Sequence, residues 1–248
     1  MDLGISGRTA AVAAATAGLG FASAKALVDA GVRVAICGRT ADRVNAAVAA
    51  LGDNAIGVEC DVSTADGATM FVEMARERLG HIDVLVANGG GPKPGNFASL
   101  SVDDYLPALQ QSLLSVVAMC EASVPAMRER KWGRVVAITS LSARQPVANL
   151  ILSNTARAGV TGFLKTLARE VAGDGVTVNS VQPGIHATDR ITQLYGSTPD
   201  AQQLGIPTGE VGDPVDFGRV VAFFCSESAR FITGTHLPVD GGSYAGLQ

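Results

Sequence analysis

Seven short apolar runs, separated by longer stretches of helical period, constrain this chain more than any other feature. The runs are 10–14, 32–37, 55–60, 84–87, 135–139, 176–181 and 236–239. None alternates polar and apolar residues, as a strand with one wet face does; continuous runs fit strands covered on both faces of a parallel sheet. The stretches between them have legible helix ends. The helix from Gly18 stops at Gly31, a residue suited to the left-handed position after a helix. Ser63-x-x-Asp66 and Ser101-x-x-Asp104 have capping-box spacing ahead of amphipathic runs. Two long helices are expected over about 102–130 and 149–171, apolar on more than one face. The alternation predicts an α/β fold: a doubly wound, mostly parallel seven-stranded sheet with helices on both faces and right-handed crossovers. No Pro/Gly/Ser-rich linker or internal repeat divides residues 1–248, which are therefore read as one domain.

Composition excludes several classes. With 47% hydrophobic and 17% charged residues, the chain has ample material for one extensive core and lacks the signature of disorder. A net charge of −4 without a Lys/Arg cluster argues against nucleic acid as a partner. The four cysteines are widely spaced and form no C-x-x-C pair, so they read as buried thiols rather than metal ligands. The apolar run at 10–15 is too short for a secretory signal, and nothing approaches a membrane span of about 20 apolar residues. A cytoplasmic protein acting on a small molecule is the expectation.

Ligands of open α/β sheets sit beyond the carboxyl ends of the strands. There the first run leads into Ala13-Ala14-Ala15-Thr16-Ala17-Gly18-Leu19-Gly20 and a helix. A small-residue turn before a helix N-terminus lets a pyrophosphate approach free amides, although a tight turn without a ligand reads similarly. At the end of the second run stands Arg39-Thr40, where an acid would favour NAD. A guanidinium fork there favours the 2′-phosphate of NADP. Asp61-Val62 follows the third run, placed either to meet an adenine ring or to cap the next helix. The connections at 88–100 and 183–213 are the longest, as lids and pocket walls tend to be.

These features, with Leu85-Val-Ala-Asn88-Gly89-Gly90, Gly133-Arg-Val-Val-Ala-Ile-Thr-Ser140, Val176-Thr-Val-Asn179-Ser-Val-Gln-Pro183-Gly184, Thr188 and Phe231-Ile-Thr-Gly-Thr-His-Leu-Pro-Val-Asp240-Gly-Gly242, carry a resemblance over essentially the whole chain. The chain resembles short-chain dehydrogenase/reductases of Rossmann type, and among them the 3-oxoacyl-carrier-protein-reductase-like branch. The resemblance implies NADP(H), with NAD(H) possible. It also implies a cofactor groove lined by Ala14, Thr16, Gly18, Leu19, Gly20, Arg39, Thr40, Asp61, Val62, Asn88, Gly89, Gly90, Arg157, Pro183, Gly184, Ile185 and Thr188. It further implies a homotetramer or dimer paired through the two long helices. The family turn begins Thr-Gly; here those positions are Ala13-Ala14, where a positive φ is costly.

The same resemblance implies a carbonyl-binding serine at Ser140. The family's tyrosine, lysine and asparagine positions are held by Ser153, Arg157 and Ser112. A serine hydroxyl is a far weaker acid than a phenol, and arginine cannot relay a proton. Ser153 and Arg157, four apart, share one helix face. Other proton sources are His186, three residues after Pro183, and Tyr195 in the following loop. Ser142 is placed to share the work of Ser140, and Lys93 to meet an anionic substrate group. His81 and His236 read as structural. The expected activity is reduction of a carbonyl, 3-oxoacyl-like or another smallish apolar substrate, with an altered catalytic tetrad. The alternative is dinucleotide binding with little or no turnover, in a structural or regulatory partner.

Overall fold

In the computed structural model, which describes residues 2–197 and 199–247, Leu194 by its backbone alone, seven parallel strands form one sheet in the order β3-β2-β1-β4-β5-β6-β7. The strands are β1 (Thr9–Val12), β2 (Arg33–Gly38), β3 (Ala55–Glu59), β4 (Val84–Ala87), β5 (Gly133–Ile138), β6 (Val176–Pro183) and β7 (His236–Val239). Every residue of β1, β4 and β5 is buried, which is why these strands show no polar alternation. One face of the sheet packs on α3 (Ala65–Leu79), α5 (Ser115–Glu129) and α6 (Ile151–Val171) through Phe71, Met119, Met127, Val160 and Leu164. The other packs on α1 (Gly18–Asp29), α2 (Ala41–Leu51) and α8 (Pro214–Phe224) through Leu27, Ala47, Phe217 and Val221. The expected seven-stranded doubly wound sheet is therefore observed. Chain order reverses at β1, which pairs with β2 on one side and β4 on the other. That reversal opens a crevice beyond the ends of β1 and β4. Among the described residues no helix is long and apolar enough to cross a membrane.

Local chemistry explains the ends of the elements. Gly31, after α1, has φ +80°, as its position past the helix requires. At the start of α3 the expected Ser63–Asp66 box does not form. The Asp61 carboxylate takes the Ser63 N–H at 3.0 Å, and Thr64 caps the helix instead, its hydroxyl accepting from Gly67 N at 3.2 Å. The Ser101–Asp104 box does form, with Ser101 N donating to Asp104 at 2.9 Å. The helix expected over 102–130 is not uniform. It comprises a 3₁₀ turn at Val102–Asp104, α4 (Tyr105–Leu109), a π-turn at Gln110–Leu114, and α5. The wider turn is stabilised locally by the Ser115 hydroxyl, which donates to Gln111 O at 2.8 Å. A seventh helix, α7 (Asp189–Tyr195), occupies part of the long connection after β6.

Candidate active site

At the crevice, the turn after β1 is drawn against the end of β4. The Asn88 side-chain amide donates to Ala13 O and Ala14 O, each at 3.2 Å. A Cβ on Gly20 would lie 2.6 Å from Asn88 Nδ2 and 2.7 Å from Ala14 O, closer than real contacts allow. Ala14 itself adopts φ +48°, and its N–H donates to the buried Cys37 thiol at 3.2 Å. Burial raises the Cys37 pKa to about 12, so the sulfur remains a neutral thiol that accepts this bond. The strain at Ala14 is relieved in the variant Ala14→Gly. We expect a net gain of about 0.5 kcal/mol, since roughly 1 kcal/mol of left-handed strain outweighs the extra freedom of the unfolded chain. Differential scanning calorimetry checks this, and a lower midpoint for the variant counts against strain at residue 14.

The N-terminus of α1 has no side-chain cap, so its first amides are left for a ligand. Thr188 stands over this turn, its Cγ2 3.6 Å from where a Gly18 Cβ would lie. Thr16 covers Gly38, where a Cβ would meet its methyl at 2.4 Å. Arg39 and Thr40 beside it are exposed. Val62 packs into the core, and Asp61 beside it is exposed at the surface. Gly89 and Gly90 continue from Asn88, and a Cβ at Gly90 would lie 2.8 Å from Gln111 Nε2. Gly184 is pinned by donating to Val239 O, and Ile185 O accepts from Gly212 N, each at 3.0 Å. The partly buried Pro183, Gly184 and Ile185 thus form a fixed wall. An open helix end, crowded glycines and an exposed arginine at the tip of β2 suit a dinucleotide.

Further along the crevice, β5 delivers Ser140, which caps a 3₁₀ turn at Leu141–Ala143 by accepting from Ser142 N at 3.1 Å. That bond occupies a lone pair and leaves the Ser140 proton for another acceptor. Ser142 Oγ and Ser153 Oγ, the latter on α6, lie 3.2 Å apart. One turn on, Arg157 is 6% exposed, donates from Nη1 to Ile138 O at 3.3 Å, and leaves its buried Nε without a partner. Burial first, and then the nearby cation of Arg190, lower its pKa to about 10. It remains a cation at neutral pH. Of the expected catalytic set, Ser140 and Ser153 are thus linked through Ser142, and Arg157 follows one turn after Ser153 on α6. Ser112 lies in the π-turn, buried, with its hydroxyl unpartnered.

The other candidates have different surroundings. The His186 ring sits edge-on to Phe217 at 5.0 Å, and a Cβ on Gly212 would come within 2.6 Å of it. Its Nδ1 is 3.4 Å from Gly184 O, burial lowers its pKa, and no hydrogen bond joins it to the serines among the described residues. Tyr195 is exposed at the end of α7. Lys93 is 2.6 Å from Asp104, whose carboxyl it holds below the usual range, so this lysine is committed to the Ser101 cap. His81 pairs with Asp83 at 3.2 Å, and His236 bonds Ser180 at 2.8 Å, both in structural settings. Two residues escaped the sequence reading, Gln111 and Arg190. Arg190, on α7, reaches back to Pro92 O at 3.5 Å. Its only sequence signal is a charge two residues beyond Thr188.

The enoyl-(acyl carrier protein) reductase family profile matches residues 13–244. A 3-oxoacyl-[acyl-carrier-protein] reductase from Vibrio cholerae is 31% identical over 242 residues, covering 98% of this chain and 99% of its own. Among solved structures, the L-sorbose reductase of Gluconobacter frateurii, complexed with NADPH and L-sorbose, superposes with TM-score 0.90 at 27% identity, covering 100% of both chains. An NADPH-bound short chain oxidoreductase from Pseudomonas aeruginosa PAO1, described as containing an atypical catalytic center, superposes at 0.91 with 29% identity, covering 98% of this chain and 99% of its own. The full-length sequence match and the shared sheet agree with the crevice chemistry: this chain belongs to the short-chain dehydrogenase/reductase family of oxidoreductases.

Proposed function

We propose that this protein is an NADP(H)-preferring oxidoreductase that interconverts a carbonyl and an alcohol with an altered catalytic group set. The observation that carries this reading is the convergence of Ser140, Ser142, Ser153 and Arg157 at one end of the crevice. Arg39, exposed at the tip of β2 with no acid beside it, supports the 2′-phosphate. So do the NADPH complexes of the two structural neighbours. Gly18, Gly20, Asn88, Pro183 and Thr188 line the groove in this reading, and Asp61 meets the adenine.

The nicotinamide, when bound, supplies or accepts the hydride. The chain's own residues position a carbonyl and handle its charge and proton. Ser140 presents its free O–H to the carbonyl oxygen. In the Ser142–Ser153 pair one hydroxyl donates to the other, and the second proton points onward to a water or to the same oxygen. Neither hydroxyl is an acid near neutral pH, so the pair holds the water that delivers the proton. Arg157 is a fixed cation in a buried setting, where it stabilises negative charge on the oxygen or donates hydrogen bonds to ribose hydroxyls. His186 is buried against Phe217 and takes no part. Assembly as a dimer or tetramer belongs to the same reading, supported by the exposed Leu106 and Leu114 on the long helix.

One observation favours the alternative of binding without turnover: among the described residues no titratable acid is hydrogen-bonded to the three serines. The two are separated by titrating NADPH and NADH into the pure protein and assaying a carbonyl panel with wild type and Ser153→Tyr/Arg157→Lys. We expect NADPH to bind at least about 10-fold more tightly than NADH, slow wild-type turnover, and a rate about 10²–10³ higher in the double variant. Turnover confined to the double variant supports the binding protein, and failure of both nucleotides to bind overturns both readings.

A further inference from the structure

Two guanidiniums face this site with no carboxylate to balance them. Among the described residues neither Arg157 nor Arg190 forms an ion pair, whereas other basic side chains such as Arg128, Lys131 and Arg134 do. Arg157 is nine-tenths buried, uses one nitrogen on Ile138 O, and keeps a buried Nε unpartnered. A buried cation of that kind is costly unless an anion completes it. Arg190 extends from α7 across the crevice to the loop after β4, where its Nη2 makes a single long contact with Pro92 O. Room for it comes from Gly91, whose Cβ would lie 2.6 Å from that nitrogen. Burial is the main cause of the depressed Arg157 pKa, and the Arg190 cation adds to it.

An anion here has two sources, the dinucleotide phosphates and the substrate. The direction of Arg190 favours the substrate. Thr188, two residues earlier, stands over Gly18 at the phosphate end. The Arg190 side chain reaches Gly91–Pro92 in the loop that follows β4, and β4 pairs with β5, the strand that leads to Ser140.

Resting on the oxidoreductase reading above, we propose that the substrate carries a carboxylate near its carbonyl, and that Arg190 and Arg157 hold that carboxylate while the serines hold the carbonyl oxygen. The substrate is then a small oxo acid and the product a hydroxy acid. Arg190 is the specificity-determining residue. Fork-to-carboxylate bonding suits arginine at both places. The apolar loop residues around the site then contact the remainder of a short carbon chain.

The test uses the NADPH-saturated protein and a series of 2- and 3-oxo acids of about three to eight carbons, each beside its methyl ester, a range set by the ordinary size of ligand pockets. Binding is read by calorimetry and turnover by NADPH oxidation. We expect the best acid to exceed its ester by about 10–100-fold, the span of one or two charge-assisted hydrogen bonds. Arg190→Met removes this preference and Arg190→Lys restores part of it, with NADPH affinity unchanged in both. Equal binding of acids and esters to wild type overturns the proposal. So does a variant in which NADPH binding weakens while the acid-to-ester ratio holds, because the anion is then a cofactor phosphate. Failure of wild type to bind NADPH at all is a separate result, and it removes the oxidoreductase reading itself.

Discussion

Arg157→Met is expected to make the ligand-free protein more stable, by about 2 kcal/mol, while destroying its site. Burial depresses the guanidinium pKa to about 10, which corresponds to roughly 3 kcal/mol working against the buried cation. Loss of the Nη1 bond to Ile138 O returns about 1 kcal/mol of that. Methionine keeps the length and flexibility needed to fill the space. At this chain length the midpoint should rise by about 4–8 °C. The pH dependence has a definite sign. The folded-state pKa lies below the unfolded one, so the penalty is present in full below pH 10 and is relieved as pH climbs above it towards the ordinary guanidinium range. Wild type and variant therefore differ by a constant amount through neutral pH and converge above pH 10. Urea titrations of the ligand-free proteins at pH 7 and pH 11 check both parts. A variant less stable than wild type at pH 7 would show that the cation is not costly where it sits. It would also remove the reason to look for an anion beside it.

This trade of stability for function marks the place where the sequence stops being self-explanatory. The sheet was legible because strands buried on both faces must be continuous and apolar: 84–87 matches the fully buried β4 end to end. Ends governed by one backbone requirement were legible too, as Gly31 shows. Ends governed by competition were not. Asp61 and Thr64 both bid for amides at the start of α3, and spacing alone does not say which wins. In the site, spacing four apart placed Ser153 and Arg157 together because a helix guarantees it. The 3.2 Å contact between Ser142 and Ser153 depends on how a 3₁₀ turn meets α6, and no local pattern encodes that. The setting of His186 was hidden for the same reason. Its type and place after β6 suit an acid, yet Phe217, 31 positions away in sequence, gives the ring an apolar seat. Arg190 went unread because its partners, Gly91 and Pro92, lie almost a hundred residues earlier.

Gly20→Val is expected to lower NADPH affinity by at least about 100-fold, a loss of roughly 3 kcal/mol. The added Cβ would lie 2.6 Å from Asn88 Nδ2, 2.7 Å from Ala14 O and 3.2 Å from Ala15 Cα. None of these is the free end of a flexible side chain. Asn88 is held by its two bonds to Ala13 O and Ala14 O, and Ala14 is already in a left-handed conformation. The turn after β1 and the end of β4 must therefore separate, and the groove between α1 and the Asn88 loop opens with them. Because the clash is confined to the crevice, the hydrophobic faces of the sheet stay covered. The midpoint should fall by only about 4–8 °C, equivalent to some 2 kcal/mol. Gly18 provides the contrast. It has φ +58°, but a Cβ there meets only Thr188 at 3.6 Å, an ordinary contact. Gly18→Ala should then cost about 1–2 kcal/mol of backbone strain and leave the turn seated against Asn88. Fluorescence titration of both variants with NADPH, beside circular dichroism to confirm the fold, distinguishes crowding from conformation. If Gly20→Val binds as wild type does, the nucleotide does not use the seam between this turn and Asn88, and the cofactor groove has been placed wrongly.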